Sequence, residues 1–152
     1  MSYIDRSLIA SETVFYRTRR HWIVLVSPIL VGGFLGLIAM TEFVTAVEGT
    51  GVGFLLLLLA VVIVCVGILR WTSTEMAVTN KRVIVKTGVL TQKSLEIPLN
   101  KVESIGVNQG ILGRVLGYGN VVVRGTGGTP EPFEDIAAPL EFRHQVQAQM
   151  DK

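Results

Sequence analysis

A chain of 152 residues, 49% hydrophobic and only 17% charged, has room for one domain and is too apolar for an ordinary soluble one of that size. Its net charge of +2 gives no basic excess of the kind nucleic acids bind, and its single cysteine excludes an intramolecular disulfide.

Residues 1–21 form an N-terminal segment in which Ile4, Leu8, Val14 and Phe15 are apolar enough to pack on a later domain. The segment ends in a basic cluster, Arg17, Arg19, Arg20 and His21. From Trp22 to Thr41 there is no charged side chain, and none from Gly49 to Leu69, with Arg70 closing that stretch. About 20 residues of helix rise roughly 30 Å, the thickness of a bilayer's hydrocarbon core, so the two stretches are predicted to be transmembrane helices over 22–41 and 49–70. Soluble core helices of that kind need a large protein around them, and the rest of the chain is too short to provide one.

Lys and Arg stay on the cytoplasmic side of a membrane. The cluster before the first span and Arg70, Lys81 and Arg82 after the second therefore put both termini in the cytoplasm of a cell membrane, with the short loop 42–48 outside. Trp22 and Trp71 sit where indole rings rest in the cytoplasmic interface. A cleaved signal peptide is the weaker reading of the first span, because the apolar stretch is too long and TEFVTAVEG is a poor cleavage site. Gly32 and Gly36 have the small-xxx-small spacing that lets helices approach closely, either in an oligomer or within the hairpin. Pro28 predicts a kink, and Cys65 is read as an apolar packing residue within the second span.

Residues 71–152 change texture. Short apolar runs are broken every eight to twelve residues by Gly, Pro and Asn, the pattern of successive antiparallel strands. Strands are expected over 76–79, 82–87, 94–99, 101–107 with a bulge, 120–124 and 133–136. Asn80 takes positive φ in the first turn, and Gly88 allows the next reversal. Pro98 belongs at an edge or bend. From Pro139 onward the period becomes helical, with Leu140, Phe142, Val146 and Met150 forming a stripe to be laid across an open end of the sheet.

These residues carry a resemblance. The run AVTNKRVIVKTGVLTQKSLEIPLNKVESIGVNQGILGRVLGYGNVVVRGTGG resembles the bacterial pleckstrin-homology (PH) family, of the membrane-anchored kind, once catalogued as a domain of unknown function. The matching features are the Thr-x-x-Arg turn at 79–82, the corner at 87–90, the stretch 97–107 and the glycine signature at 110–123, with LIASETVFYRTRRHW ahead of the first span. Ile105 with Gly106 departs from the expected polar alternation and bears on that strand's register. The resemblance implies an α+β fold, in which a two-helix transmembrane hairpin is followed by a PH-like bent antiparallel sheet or barrel capped by a C-terminal helix. It implies little about ligand, because one fold supports many binding roles.

The glycine signature GILGRVLGYGNVVVRG is no phosphate loop. It lacks Gly-Lys-Ser/Thr, and its G-x-G leads into a strand instead of a helix. Gly110, Gly113, Gly117 and Gly119 are expected to allow positive φ and close approach, with Ile111, Leu112, Val115 and Leu116 as a helical turn plugging the sheet. Arg114 is a candidate for an anion, or for the internal carboxylates Glu134 and Asp135. Arg17, Arg19, Arg20, Arg114 and Arg124 are the candidate contacts to lipid or a protein partner, although ten Lys and Arg against eight Asp and Glu from residue 70 onward is an ordinary solvated balance.

Two distant histidines, one cysteine within a span and no HExxH or CxxC leave no catalytic set, and no metal or cofactor is expected. The expected function is a non-enzymatic binding or scaffold module at the cytoplasmic face of the membrane. Its partners are membrane lipids and either a second copy or another membrane protein. The alternative is an accessory subunit of a larger transporter or enzyme complex.

Overall fold

The computed structural model describes residues 3–9, 11–45, 51–88, 93–128 and 130–150. The second half of the expected corner at 87–90, the tip of the loop 42–48 and Thr129 lie outside them. The chain divides into two compact units, one formed by Trp22–Trp71 and the other by Met1–His21 together with Thr72–Lys152.

The smaller unit is a helical hairpin. A 3-10 turn, Trp22–Leu25, leads into α2, Val26–Thr45, and α3 runs from Gly51 to Thr72. The short helix α1, Tyr3–Ser7, lies upstream in the other unit. Pro28 falls in the first turn of α2, where a missing N–H deprives the helix of nothing. The proline therefore stands just inside the start of the α-helix, directly after the tighter 3-10 turn. α2 runs past its expected end to take in Glu42, and α3, with Arg70 in its last turn as expected, continues to Thr72.

The helices pack antiparallel through small residues. Gly53, Ala60 and Gly67 recur every seven positions and are buried in α3. A Cβ on Gly67 would lie 2.5 Å from Pro28 Cγ, one on Gly32 would lie 2.6 Å from Val64 Cγ2, and Gly53 lies against Ala39 and Glu42. A heptad of small residues is the seam of a close left-handed helix pair. Most other side chains of the hairpin, from Leu30 and Phe34 to Leu58 and Leu69, are exposed hydrophobics. The helices, Trp22–Val44 and Gly51–Thr72, are long and apolar enough to cross a membrane. Gly67→Leu forces the seam apart, and a loss of about 1–3 kcal/mol in hairpin stability is expected in detergent or lipid unfolding measurements.

In the larger unit, the strand at 75–79 is not the first. Val14–Arg19 forms β1 and pairs antiparallel with β2, Glu75–Thr79, placing Arg19 opposite Glu75. The hairpin is thus inserted between two adjacent, paired strands. β3, Arg82–Thr87, and β4, Lys93–Pro98, complete a four-stranded sheet in the order β1-β2-β3-β4. β5, Val102–Asn108, then α4, Ile111–Leu116, then β6, Tyr118–Gly125, and β7, Glu131–Ala137, follow, and β5-β6-β7 form a second sheet. Among the described residues there are two sheets in place of one continuous system. A single bridge between Arg20 and Ile136 ties the end of β1 to β7. The anticipated bulge in the 102–107 strand falls between Val102 and Ser104.

Alternation builds one core. Met76 and Val78 from β2, Val83 and Val85 from β3, Val121 and Val123 from β6, and Phe133 and Ile136 from β7 face the same interior. The helix α5, Pro139–Met150, closes it with Phe142 and Val146, both fully buried. The expected stripe is shorter at both ends, since Leu140 is 50% exposed and Met150 40%. Ala77 and Ile84, paired on the opposite face of the first sheet, are also fully buried, as is Ile4 of α1 at 2% exposure. Phe15, expected to pack inward, is on the exposed face of β1 instead.

Candidate functional site

The first cluster to consider is the most buried charge. Glu12 precedes β1, and its side chain is wholly inaccessible. Arg82 grips it with two hydrogen bonds, Nε to Oε1 at 3.0 Å and Nη2 to Oε2 at 2.9 Å. Thr79 Oγ1 donates to Oε1 at 2.7 Å and the Ile9 N–H donates to Oε2 at 2.9 Å. Arg82 also donates to Glu96, at 2.6 Å, and to the Ser7 carbonyl, at 2.7 Å.

Thr79 also accepts from the N–H groups of Lys81 and Arg82, closing the β2–β3 turn. Asn80 is not in positive φ there. Its amide reaches back instead, accepting from the Thr13 N–H at 3.1 Å and donating to the Ser11 carbonyl at 3.2 Å. The Thr-x-x-Arg turn is thus a clasp that holds the N-terminal segment. Burial alone would raise the Glu12 carboxyl pKa, but the hydrogen bonds from Ile9, Arg82 and Thr79 and the Arg82 charge outweigh it and hold it below the usual carboxylate range. Each Glu12 oxygen accepts two hydrogen bonds, the satisfied arrangement of a structural ion pair.

The second cluster is α4 and the corner that carries it. The helix forms where expected, but it does not plug the sheet. Ile111 is 86% exposed, Leu112 68% and Val115 78%, with Leu116 at 39%. The buried residue is Gly113, where a Cβ would lie 2.5 Å from the Tyr118 carbonyl oxygen. Only a glycine lets the helix seat by its backbone, and at 3.6 residues per turn the four apolar side chains then occupy an outward arc of roughly 140°. Gln109 Nε2 donates to the Tyr118 carbonyl at 2.9 Å and braces the same contact. Of the four signature glycines, only Gly117, the C-cap of α4 at φ +76°, requires the left-handed region.

The corner behind α4 is tied to the last residues before the hairpin. Ala138 N–H donates to the Gly117 carbonyl at 2.8 Å, and Thr18 Oγ1 donates to the Ala137 carbonyl at 2.6 Å. The His21 N–H donates to the Asp135 carbonyl at 2.6 Å, and the His21 ring stacks on Tyr118 with centroids 5.3 Å apart. Burial lowers the His21 pKa, outweighing the upward pull of Asp135, so the ring is neutral at pH 7 and does not add to the basic cluster.

The five candidate arginines are not gathered into one site. Because β1 alternates, Arg17 and Arg19 lie on its exposed face and Arg20 on the other. Arg17 is paired with Asp5, and Arg20 Nε donates to the Glu134 carbonyl at 3.4 Å. Arg17 and Arg19 border an open hollow shared with Ile4, Thr18 and Glu75. Arg114 is exposed on α4, and no ion pair joins it to Glu134 or Asp135 among the described residues. Asp135 instead occupies an irregular position in β7 at φ 54°, its N–H donating to Asn120 Oδ1. Arg124 is near the far end of β6 from Tyr118, remote from Arg114 along the strand. Of the helix-packing pair, Gly32 is buried against α3, whereas Gly36 has nothing within 4 Å.

Sequence reasoning missed β1, Glu12 and the outward face of α4. The VFYRTR alternation was a strand signal, overshadowed by its arginines. No cluster of His, Cys, Asp or Glu among the described residues is arranged to hold a metal ion.

Comparison with protein families matches residues 26–150 to the Bacterial PH domain. The matched stretch spans the hairpin and the strands after it but starts beyond β1. No curated protein and no solved structure matches the chain.

Proposed function

Because the chain belongs to the bacterial PH domain family, we propose that it is a non-enzymatic binding module held at the cytoplasmic face of a cell membrane by the 22–71 hairpin. The observation that carries this reading is the insertion of that hairpin between β1 and β2. The chain leaves the module after His21 and returns at Thr72, beside strand ends already paired at Arg19 and Glu75. An apolar hairpin rooted in one strand pair anchors the module without interrupting its core. Basic residues at both roots, Arg19 and Arg20 on one side and Arg70 on the other, favour the cytoplasmic side.

Anchoring raises the effective concentration of the module toward anything else in that membrane, so weak contacts become productive. The partners are anionic lipid, attracted by the basic roots, and a second copy or a neighbouring membrane protein. The test is impermeant maleimide labelling of a Thr126→Cys, Cys65→Ala protein in oriented membrane vesicles, followed by gentle extraction and cross-linking. Labelling from the cytoplasmic side alone is expected, and labelling from the other side overturns the orientation. A discrete homo-oligomer makes the chain a scaffold, whereas a fixed, larger second protein makes it an accessory subunit.

A further inference from the structure

We propose that the apolar face of α4 is seated in the interfacial layer of the same bilayer that holds the hairpin, giving the module a second, non-covalent point of attachment. This inference rests on the anchoring reading above. Three observations lead to it.

First, α4 is built to show its apolar side chains. Gly113 and Gln109 fix the helix by backbone contacts, leaving Ile111, Leu112 and Val115 at 86%, 68% and 78% exposure. An outward apolar set on a helix capped by Gly110 and Gly117 is poorly placed in water and well placed at a lipid headgroup boundary. Second, its location is specified by the chain. Tyr118 follows the α4 C-cap directly and carries the His21 ring, and the residue after His21 begins the first apolar helix. The Gly117–Ala138 and Thr18–Ala137 hydrogen bonds hold α4 at the corner from which the chain departs for the membrane.

Third, the patch suits lipid better than protein. A six-residue helix with four apolar side chains falls well short of the roughly 800 Å² per partner that a stable protein interface buries. A module already anchored needs no such area. Arg114, exposed on the flank of the apolar arc, is positioned to meet lipid phosphate as the apolar residues enter.

The experiment uses the full chain in vesicles of phosphatidylcholine and phosphatidylglycerol, with Cys65→Ala as background. An environment-sensitive fluorophore is attached at Leu112→Cys, at Val115→Cys or, as a distal control, at Thr126→Cys. Lipids carrying a nitroxide on the upper acyl chain should quench the 112 and 115 labels several-fold more than the 126 label, and aqueous iodide should show the reverse order. Equal aqueous exposure at all three positions overturns the proposal. So does shielding of 112 and 115 from iodide without lipid quenching, since a protein then covers the face. Failure of the anchor shows separately, as release of all labelled proteins by an alkaline wash, and that outcome overturns both readings.

Discussion

Arg82→Ala should destabilise the module by about 3–5 kcal/mol, the usual effect of removing one partner from a buried ion pair. The Glu12 side chain is fully inaccessible and would keep its charge with two of its four hydrogen bonds gone. The Ser7 carbonyl would lose its donor as well, releasing the end of α1. Thermal or denaturant unfolding of the full chain in detergent measures the loss. Glu96→Gln is the contrast, because that carboxylate is at the more exposed end of the cluster and its replacement should cost less than about 1 kcal/mol. An Arg82→Ala protein as stable as the parent would overturn the clasp.

The same cluster predicts a pH dependence. The folded Glu12 carboxyl titrates below its ordinary value, so its stabilisation is complete above the unfolded pKa of about 4.3 and is lost as pH falls through the lower folded value. The stability difference between the parent and Glu12→Gln should therefore be widest near neutrality and close progressively in acid. A gap that stays constant from pH 7 to acid would show that Glu12 contributes through shape instead of charge.

The second large effect concerns what counts as the domain. A fragment starting at residue 72 lacks β1 and the Glu12 clasp, and it should fail to fold. Residues 1–20 joined to 74–152 by a short turn should instead give a soluble, cooperatively folding protein, because Arg19 and Glu75 are already strand partners. Dispersed amide resonances and a sharp melting transition for the joined chain, with neither for the fragment, are the expected results. If both chains behave alike, β1 is dispensable and the inserted-hairpin topology loses its meaning.

Much of this architecture was legible because it rests on local physics. Two uncharged stretches of bilayer length announced the helices, and β-branched alternation in RVIVKT and NVVVR announced β3 and β6. Phe142 and Val146 marked the inner face of α5 by their helical spacing. Features that depend on distant partners were not legible. Glu12 and Arg82 are 70 positions apart, and nothing near either one signals that the two meet. The arginines of β1 read as a topology signal, which hid the strand that carries them. For α4, apolar composition suggested burial, whereas the single glycine at its contact face decides that the apolar side chains point outward.

The insertion also sets an order of assembly. β1 is synthesised long before β2, and in an unanchored chain their pairing would close a loop of more than fifty residues, at roughly 3–4 kcal/mol of chain entropy. Antiparallel packing of α2 and α3 along the Gly32, Ala60 and Gly67 seam brings the loop's two ends to the same side. The two apolar helices thus convert the long-range β1–β2 pairing into a nearly local one. Nucleation of the first sheet then waits on formation of the hairpin, so a chain whose apolar helices fail to pair loses the short route to its first strand pairing.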